Sequence, residues 1–445
     1  MTLISPNFAA SLPLASKAQG CRITSADGRT WLDGCSGAIS CNIGHSHPHV
    51  IEAIDQQMHR LDFVYRTQFR NEQAERLSER LCGHLGYEAA FFVNSGSEAV
   101  ETAVRMARSH WALLGHSSKT KILSRALSYH GSTHETLSLS GHRARRRDAG
   151  LCETGPVLPT PNPLRRPKDM TNTEYAMMCA NAVRDEIRRQ GTDTVAAVLL
   201  EPIIGASGAA MVPPDGYLER VREICTDEGV LLIADEVLTG LGRTGAWLAQ
   251  DHWSVRADIT CLGKGMNGGY LPISAVLVSL DVLDVMMNHD SGMRLGHTHS
   301  NHPIAAAAAN AVIDVLESDG LIEHAASQGT RFGETLKKLC SDIPQVAEVR
   351  GRGMFWGVEL VLPNNTLLPF PAESGIAGRL VSEAFKSGLM LYPATGFLEC
   401  GLGDAVILAP PLNSSLSDLT EMLALFVAAL KELPVPSQQK EMTNA

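Results

Sequence analysis

Between residues 89 and 278 the chain repeatedly sets a short, uninterrupted apolar run against a stretch of helical spacing. The runs are AAFFV (89–93), KIL (121–123), VAAVLL (195–200), VLLIA (230–234), DITCL (258–262) and ISAVLV (273–278). A strand that is apolar on both sides must be covered on both faces, which predicts a mostly parallel sheet flanked by helices. The intervening segments supply the other period. After AAFFV stops at Asn94-Ser95-Gly96, residues Ser97 to Leu114 place Val100, Val104, Ala107 and Trp111 one helical turn apart, and Tyr217 to Glu228 reads as a further helix.

Outside this core, residues 21–33 predict a hairpin with Asp27-Gly28 at its turn, and 48–60 and 71–85 predict helices. The C-terminal part changes character. It has a glycine-punctuated strand pair (346–361), a helix (372–387), short strands (389–392 and 405–409) and a last helix (415–431). This predicts a smaller α+β domain that the N-terminal hairpin can join. The expected division is 1–60 contributing to the small domain, 61–328 as the large domain and 329–445 as the small one. Residues 152–172, rich in proline, predict a long surface loop.

A formal net charge of −10 argues against a nucleic-acid binder, whose footprint is basic. The run Arg143, Arg145, Arg146, Arg147 is the local exception. It reads as a solvated loop, the functional alternative being attraction of an anionic substrate to a cleft. Ten scattered cysteines with no C-x-x-C pair predict reduced, mostly buried thiols. The first twenty residues lack a basic segment followed by an apolar core, so no signal peptide is expected. No apolar stretch reaches the roughly 18 residues of a membrane span. The expected compartment is the cytoplasm, with neither nucleic acid nor membrane as partner.

In open α/β sheets, ligands bind beyond the carboxyl ends of the strands. The residues there are Asn94-Ser95-Gly96-Ser97, Tyr129-His130-Gly131, Glu201, Asp235 and Lys264. Gly96-Ser97 opens a helix, where free amides and the helix dipole suit a phosphate; a plain N-cap by Ser97 is the alternative. Asp235 suits a protonated pyridine nitrogen, with Val237 packing on the ring, or else a metal or a salt bridge. Lys264 follows an apolar strand and lies among glycines in ITCLGKGMNGGY. Desolvation there lowers an amine's pKa and suits a Schiff-base nucleophile. The spacing of a nucleotide-binding phosphate loop is absent, and a snorkelling surface lysine is the plain alternative. A phosphate cradle, a ring-nitrogen carboxylate and an imine-forming lysine together describe pyridoxal 5′-phosphate, with no metal.

With these residues in view, the chain from about 20 to about 430 resembles the class III, or ω-amino-acid type, pyridoxal-phosphate aminotransferases of fold type I. The resemblance is carried by WLDGCSGAISCNIGHSHPHV, FFVNSGSEAVETAVRMAR, SYHGSTHETLSLSG, VAAVLLEPIIGASG, LLIADEVLTGLGRTG, LGKGMNGGYLPISAVL, GHTHSNHPIAAAAAN and ILAPPL. It implies an α/β fold whose large domain holds a mostly parallel, seven-stranded-type sheet, beside a smaller α+β domain. It implies that Lys264 holds the cofactor, Asp235 pairs with its ring nitrogen, and Gly96 and Ser97 bind its phosphate. Tyr129 and Val237 would pack on opposite ring faces. Thr298 would reach the phosphate of a neighbouring subunit, so the resemblance implies a homodimer, or a tetramer, with active sites at the interface. Phe63, Tyr65 and Phe69 match a region that lines the substrate pocket in relatives. Arg66 is a candidate for a carboxylate, or else an exposed helix-end charge, and Glu201 is a further substrate candidate.

Three positions depart from the pattern. Leu238 stands where many members carry Gln, Ile407 where several carry an α-carboxylate-binding Arg, and Asn301 where Gly is usual. Asn tolerates positive φ, so that turn can survive. The reaction implied is ping-pong transfer of an amino group from an amine or ω-amino donor to a keto acid such as pyruvate. Lys264 is the expected proton carrier. A racemase or decarboxylase of the same fold is the alternative.

Overall fold

The structure, a computed structural model, describes residues 4, 12–151, 155–289, 294–363, 367–398 and 401–433. Half of the first twenty residues, on which the expectation of no signal peptide rests, thus lies outside the described residues, as do 152–154 of the proline-rich stretch. No described helix is long and apolar enough to cross a membrane, and the cysteines among the described residues are free thiols.

Three sheets organise the chain. The first starts as an antiparallel meander, β1 (Ala15–Gln19), β2 (Arg22–Ser25) and β3 (Thr30–Asp33). Its predicted turn holds Gly28 at a φ of 87°. The central sheet contains β4 (Ala89–Val93), β5 (Lys121–Ser124), β6 (Val195–Leu200), β7 (Leu231–Asp235), β8 (Ile259–Leu262) and β9 (Ser274–Val278), in spatial order β4-β9-β8-β7-β6-β5. β5 to β8 are parallel, as the apolar runs predict. β9 runs antiparallel to both neighbours, because residues 263–273 hold only the short 3₁₀ turn Lys264–Asn267, too little chain for a parallel crossover.

Six strands are described where a seven-stranded type was expected. Beyond the β5 edge a seventh position is reduced to one parallel bridge, Arg125 to Leu158. Ala126 N donates to Leu158 O (2.8 Å) and Leu158 N to Ser124 O (3.1 Å). Pro156, Pro159 and Pro161 have no amide hydrogen to extend that ladder.

β6 shows why a parallel interior strand is apolar throughout. Val198 and Leu200 pack toward helices Asn172–Gln190 and Tyr217–Asp227. Ala197 and Leu199 pack the other way, with Ala99, Val100, Ala103 and Ala107 of helix Gly96–Leu113. Helices Asn172–Gln190, Pro303–Ser318 and Leu321–Cys340 are not assigned from the sequence. Pro303–Ser318 is buried on nearly every side, so it has no polar stripe to betray its period. The arginine run is a short helix, Arg143–Asp148, rather than a solvated loop. Arg146 turns inward and donates to the carbonyls of Leu137, Ser138 and Ser140, satisfying the end of helix His134–Ser138.

The third sheet has β10 (Val346–Arg352) and β11 (Phe355–Leu360). The strand expected at 389–392 then divides: β12 (Leu389–Met390) pairs parallel with β3, whereas β13 (Tyr392–Thr395) stays in the third sheet beside β14 (Asp404–Leu408). The N-terminal hairpin is thereby closed by a C-terminal strand. Arg243, fully buried, pins the junction. It donates to Met354 O (3.0 Å), Pro410 O (2.5 Å), Ser36 Oγ (3.1 Å) and Asn42 Oδ1 (2.6 Å).

Candidate active site

Lys264 begins where β8 ends. Gly263 is extended, and Lys264 takes a φ of 43°, a left-handed conformation uncommon for a residue with a side chain. The next residue must be small, since a Cβ on Gly265 would overlap the Asn42 amide. That amide is fixed between Arg243 and Leu241 O, to which it donates (3.0 Å). Desolvation pushes the Lys264 amine below its ordinary pKa. Asp235 and Glu201 oppose that shift, and Arg145 adds to it. The side chain lines the main cavity, which disposes of a snorkelling surface lysine.

Asp235 closes β7 and is nearly buried. One oxygen accepts the Val237 amide (3.1 Å) and the other lies 2.8 Å from His130 Nδ1. The far nitrogen of His130, Nε2, is buried without a partner among the described residues. No cluster of three or more metal-type ligands occurs among the described residues.

The cap of helix Gly96–Leu113 is Ser95, whose hydroxyl accepts Glu98 N (3.2 Å); Ser97 is not the cap. Ser97 Oγ instead accepts Ser132 N (3.0 Å) at the cleft. A Cβ on Gly96 would sit 2.6 Å from Val237 Cγ1, and one on Gly131 2.5 Å from Ser97 Oγ. Gly96 and Gly131 thus pack tightly against Val237 and Ser97 at the start of an 18-residue helix, whose free amides and dipole suit an anion. Glu201 is held rather than presented. Its oxygens accept Tyr129 N (3.1 Å) and Gly205 N (2.7 Å). Burial raises its carboxyl pKa, against the pull of His130.

Gly96, Ser97, Tyr129, Asp235, Val237 and Lys264 converge on one cavity of about 770 Å³. Glu201 and Leu238 also line it. Tyr392 to Thr395 of β13 line it from the third sheet, and His142 and Arg145 from the short helix with its cap. Arg145 places its guanidinium 4.6 Å from the centre of the Tyr129 ring. The substrate candidates Phe63, Tyr65 and Arg66 do not reach this lining within one chain. Their segment docks beside the turn at 298–301: Phe63 meets His299 edge-on at 5.8 Å, and Arg66 donates to Leu295 O and lies over Phe91. Thr298 is exposed on that same turn, also outside the lining. Asn301 takes the anticipated positive φ, 59°. Ile407 is buried in β14, opposite Gly357 and Tyr392.

Sequence reasoning left His130 and β13 without a role, and gave Arg145 only a share in the arginine run's alternative of attracting an anionic substrate to a cleft. His130 stood beside Tyr129 at a strand end, which was a usable signal; nothing local marked β13.

The family model for class III aminotransferases matches residues 5–430. The aminotransferase YodT of Bacillus subtilis is 40% identical, covering 97% of this chain and 98% of its own. The taurine–pyruvate aminotransferase of Bilophila wadsworthia is 34% identical, covering 92% and 90%. The solved PLP-bound amine transaminase from an uncultivated Pseudomonas species superposes with a TM-score of 0.91 at 32% identity, covering 98% and 99%.

Proposed function

The chain belongs to the class III aminotransferases, and on that premise we propose that it uses pyridoxal 5′-phosphate to move an amino group from an amine or ω-amino donor to a keto acid such as pyruvate. The observation that carries this is the meeting of Lys264, the His130–Asp235 pair and the Gly96–Ser97 helix start in one cavity.

The residues fit the cofactor. The start of helix Gly96–Leu113 opens onto the cavity at Gly96 and Ser97, the Asp235 carboxylate faces the cavity, and Tyr129 and Val237 provide flat and apolar walls. When bound, pyridoxal phosphate supplies an electron-accepting ring that stabilises a carbanion. The chain's own groups do the rest. Lys264 Nζ, its pKa lowered by burial, would take a proton from the donor's reacting carbon as base and, as acid, give it up at a different carbon, on the cofactor. Asp235, oriented by Val237 N–H and His130, offers a fixed carboxylate to the ring nitrogen. Gly96 N–H, Ser97 and the helix dipole would hold the phosphate and offset its charge.

Ile407, buried and uncharged, supports a donor whose reacting amine is far from any carboxylate. The amine transaminase and the taurine–pyruvate enzyme among the relatives support the same class. We take the protein to act in the cytoplasm as a homodimer. Thr298 would then serve the partner's cleft, and Phe63, Tyr65 and Arg66 would meet substrate only across the interface. The chain would divide at 1–60, 61–328 and 329–445.

A simple ω-amine added to the holoenzyme without keto acid is expected to bleach the absorbance of the lysine-linked cofactor and leave one equivalent of its amino form. α-Amino acids other than the one formed from the acceptor, alanine where the acceptor is pyruvate, should leave that absorbance intact. Bleaching by α-amino acids alone would sink the donor reading; no bleaching by any amine would sink transamination.

A further inference from the structure

We propose that Arg145 recognises the anionic group of the substrates, receiving the carboxylate of the keto-acid acceptor, or the remote acid of an ω-amino donor, beside Tyr129. The inference rests on the aminotransferase reading and names the subsite that reading lacks.

A keto acid entering this cavity loses water from its carboxylate and needs a cation in exchange. Neither the position where several family members carry an arginine nor the sequence candidate Arg66 supplies one within one chain. Position 407 holds a buried isoleucine, and Arg66 is spent on Leu295 O outside the lining. The carboxylates already in the cavity are both satisfied: Asp235 by His130 and Val237 N–H, Glu201 by two amides.

Arg145 is different. It lines the cavity and rests on the Tyr129 ring. No carboxylate among the described residues pairs with it. Its neighbour Arg146 is bonded to three main-chain carbonyls, so the root of this arm is anchored while the arm itself remains exposed. Stacking on an aromatic ring leaves the edges of a guanidinium free, and that fork suits a planar carboxylate bidentately. The charge is felt at the catalytic lysine, whose amine Arg145 helps to push down in pKa. Burial, and after it Arg145, push the His142 imidazole on the same wall below its ordinary pKa, whereas the Arg145 guanidinium stays charged.

The test uses wild-type, Arg145→Gln and Arg145→Lys proteins. Binding of propionate, a non-reacting carboxylate, is measured by calorimetry. Turnover is measured with one amine donor and either pyruvate or its uncharged analogue propanal. In Arg145→Gln, propionate affinity and kcat/KM for pyruvate should each fall roughly 10- to 100-fold, the scale of a lost charge-assisted hydrogen bond. The pyruvate-to-propanal ratio should fall with them, and Arg145→Lys should recover part of it. Parallel losses with pyruvate and propanal, or unchanged propionate binding in Arg145→Gln, overturn the proposal. If wild type transaminates nothing, the aminotransferase reading fails by itself, and the propionate measurement still decides whether Arg145 binds an anion.

Discussion

Lys264 combines a left-handed backbone with a desolvated amine. Each is unfavourable alone; the backbone costs on the order of 1–3 kcal/mol. Such strain persists where surrounding packing over-determines it, and here the wall is Asn42 against Gly265. Asp235 is fixed just as firmly, by Val237 N–H and His130. Asp235→Asn keeps the shape and removes the charge. It should lower kcat about 10²- to 10³-fold, the usual effect of deleting one preorganised electrostatic group, while the protein still binds cofactor by absorbance. A variant within threefold of wild type would refute the ring-nitrogen role. Lys264 and Asp235 were readable in the sequence because each directly follows an apolar run. His130 was visible only as a strand-end residue and Arg145 only as one of an arginine run, because their particular partners depend on which strands and helices lie side by side. The pairing of His130 with Asp235 requires β5, β6 and β7 to be adjacent.

The turn Lys264–Asn267 is short enough to be controlled by one contact. Asn42 cannot swing away from an added methyl, since Arg243 and Leu241 O hold both ends of its amide. Gly265→Ala should therefore destabilise the protein by about 1–3 kcal/mol, the range for overpacking a filled site. It should also cut kcat far more than an equally destabilising change elsewhere. Denaturant midpoints and steady-state rates on the same preparation check both; wild-type kcat would show that this packing does not position Lys264. Elements were legible where their period was distinct. The apolar runs became β4 to β9 with shifts of one residue at most, and the hairpin turn fell at Gly28. Helix Pro303–Ser318 was invisible because burial all round removes amphipathicity. The direction of β9 could be inferred only from the length of 263–273, and the loss of a seventh strand only from proline placement.

At the scale of the molecule, an exposed patch remains beside Thr298: Phe63, Tyr65 and Phe69 are 38%, 47% and 65% exposed. Large apolar side chains gathered at a surface suit burial against a second copy. The protein should sediment as two chains, and Thr298→Ala should weaken cofactor binding several-fold without changing that mass. A monomeric wild type would refute both expectations. This level was the least legible, since no single-chain periodicity encodes a partner. The joining of Leu32 in β3 to Leu389 in β12 bears on how the protein is made. At about 5–20 residues per second, a ribosome that has just released the hairpin needs roughly 20–70 s more to deliver the strand that closes it. Throughout that interval the open edge of β3 is available to any other strand in reach, which makes the nascent chain, rather than the finished enzyme, the form most in need of a chaperone.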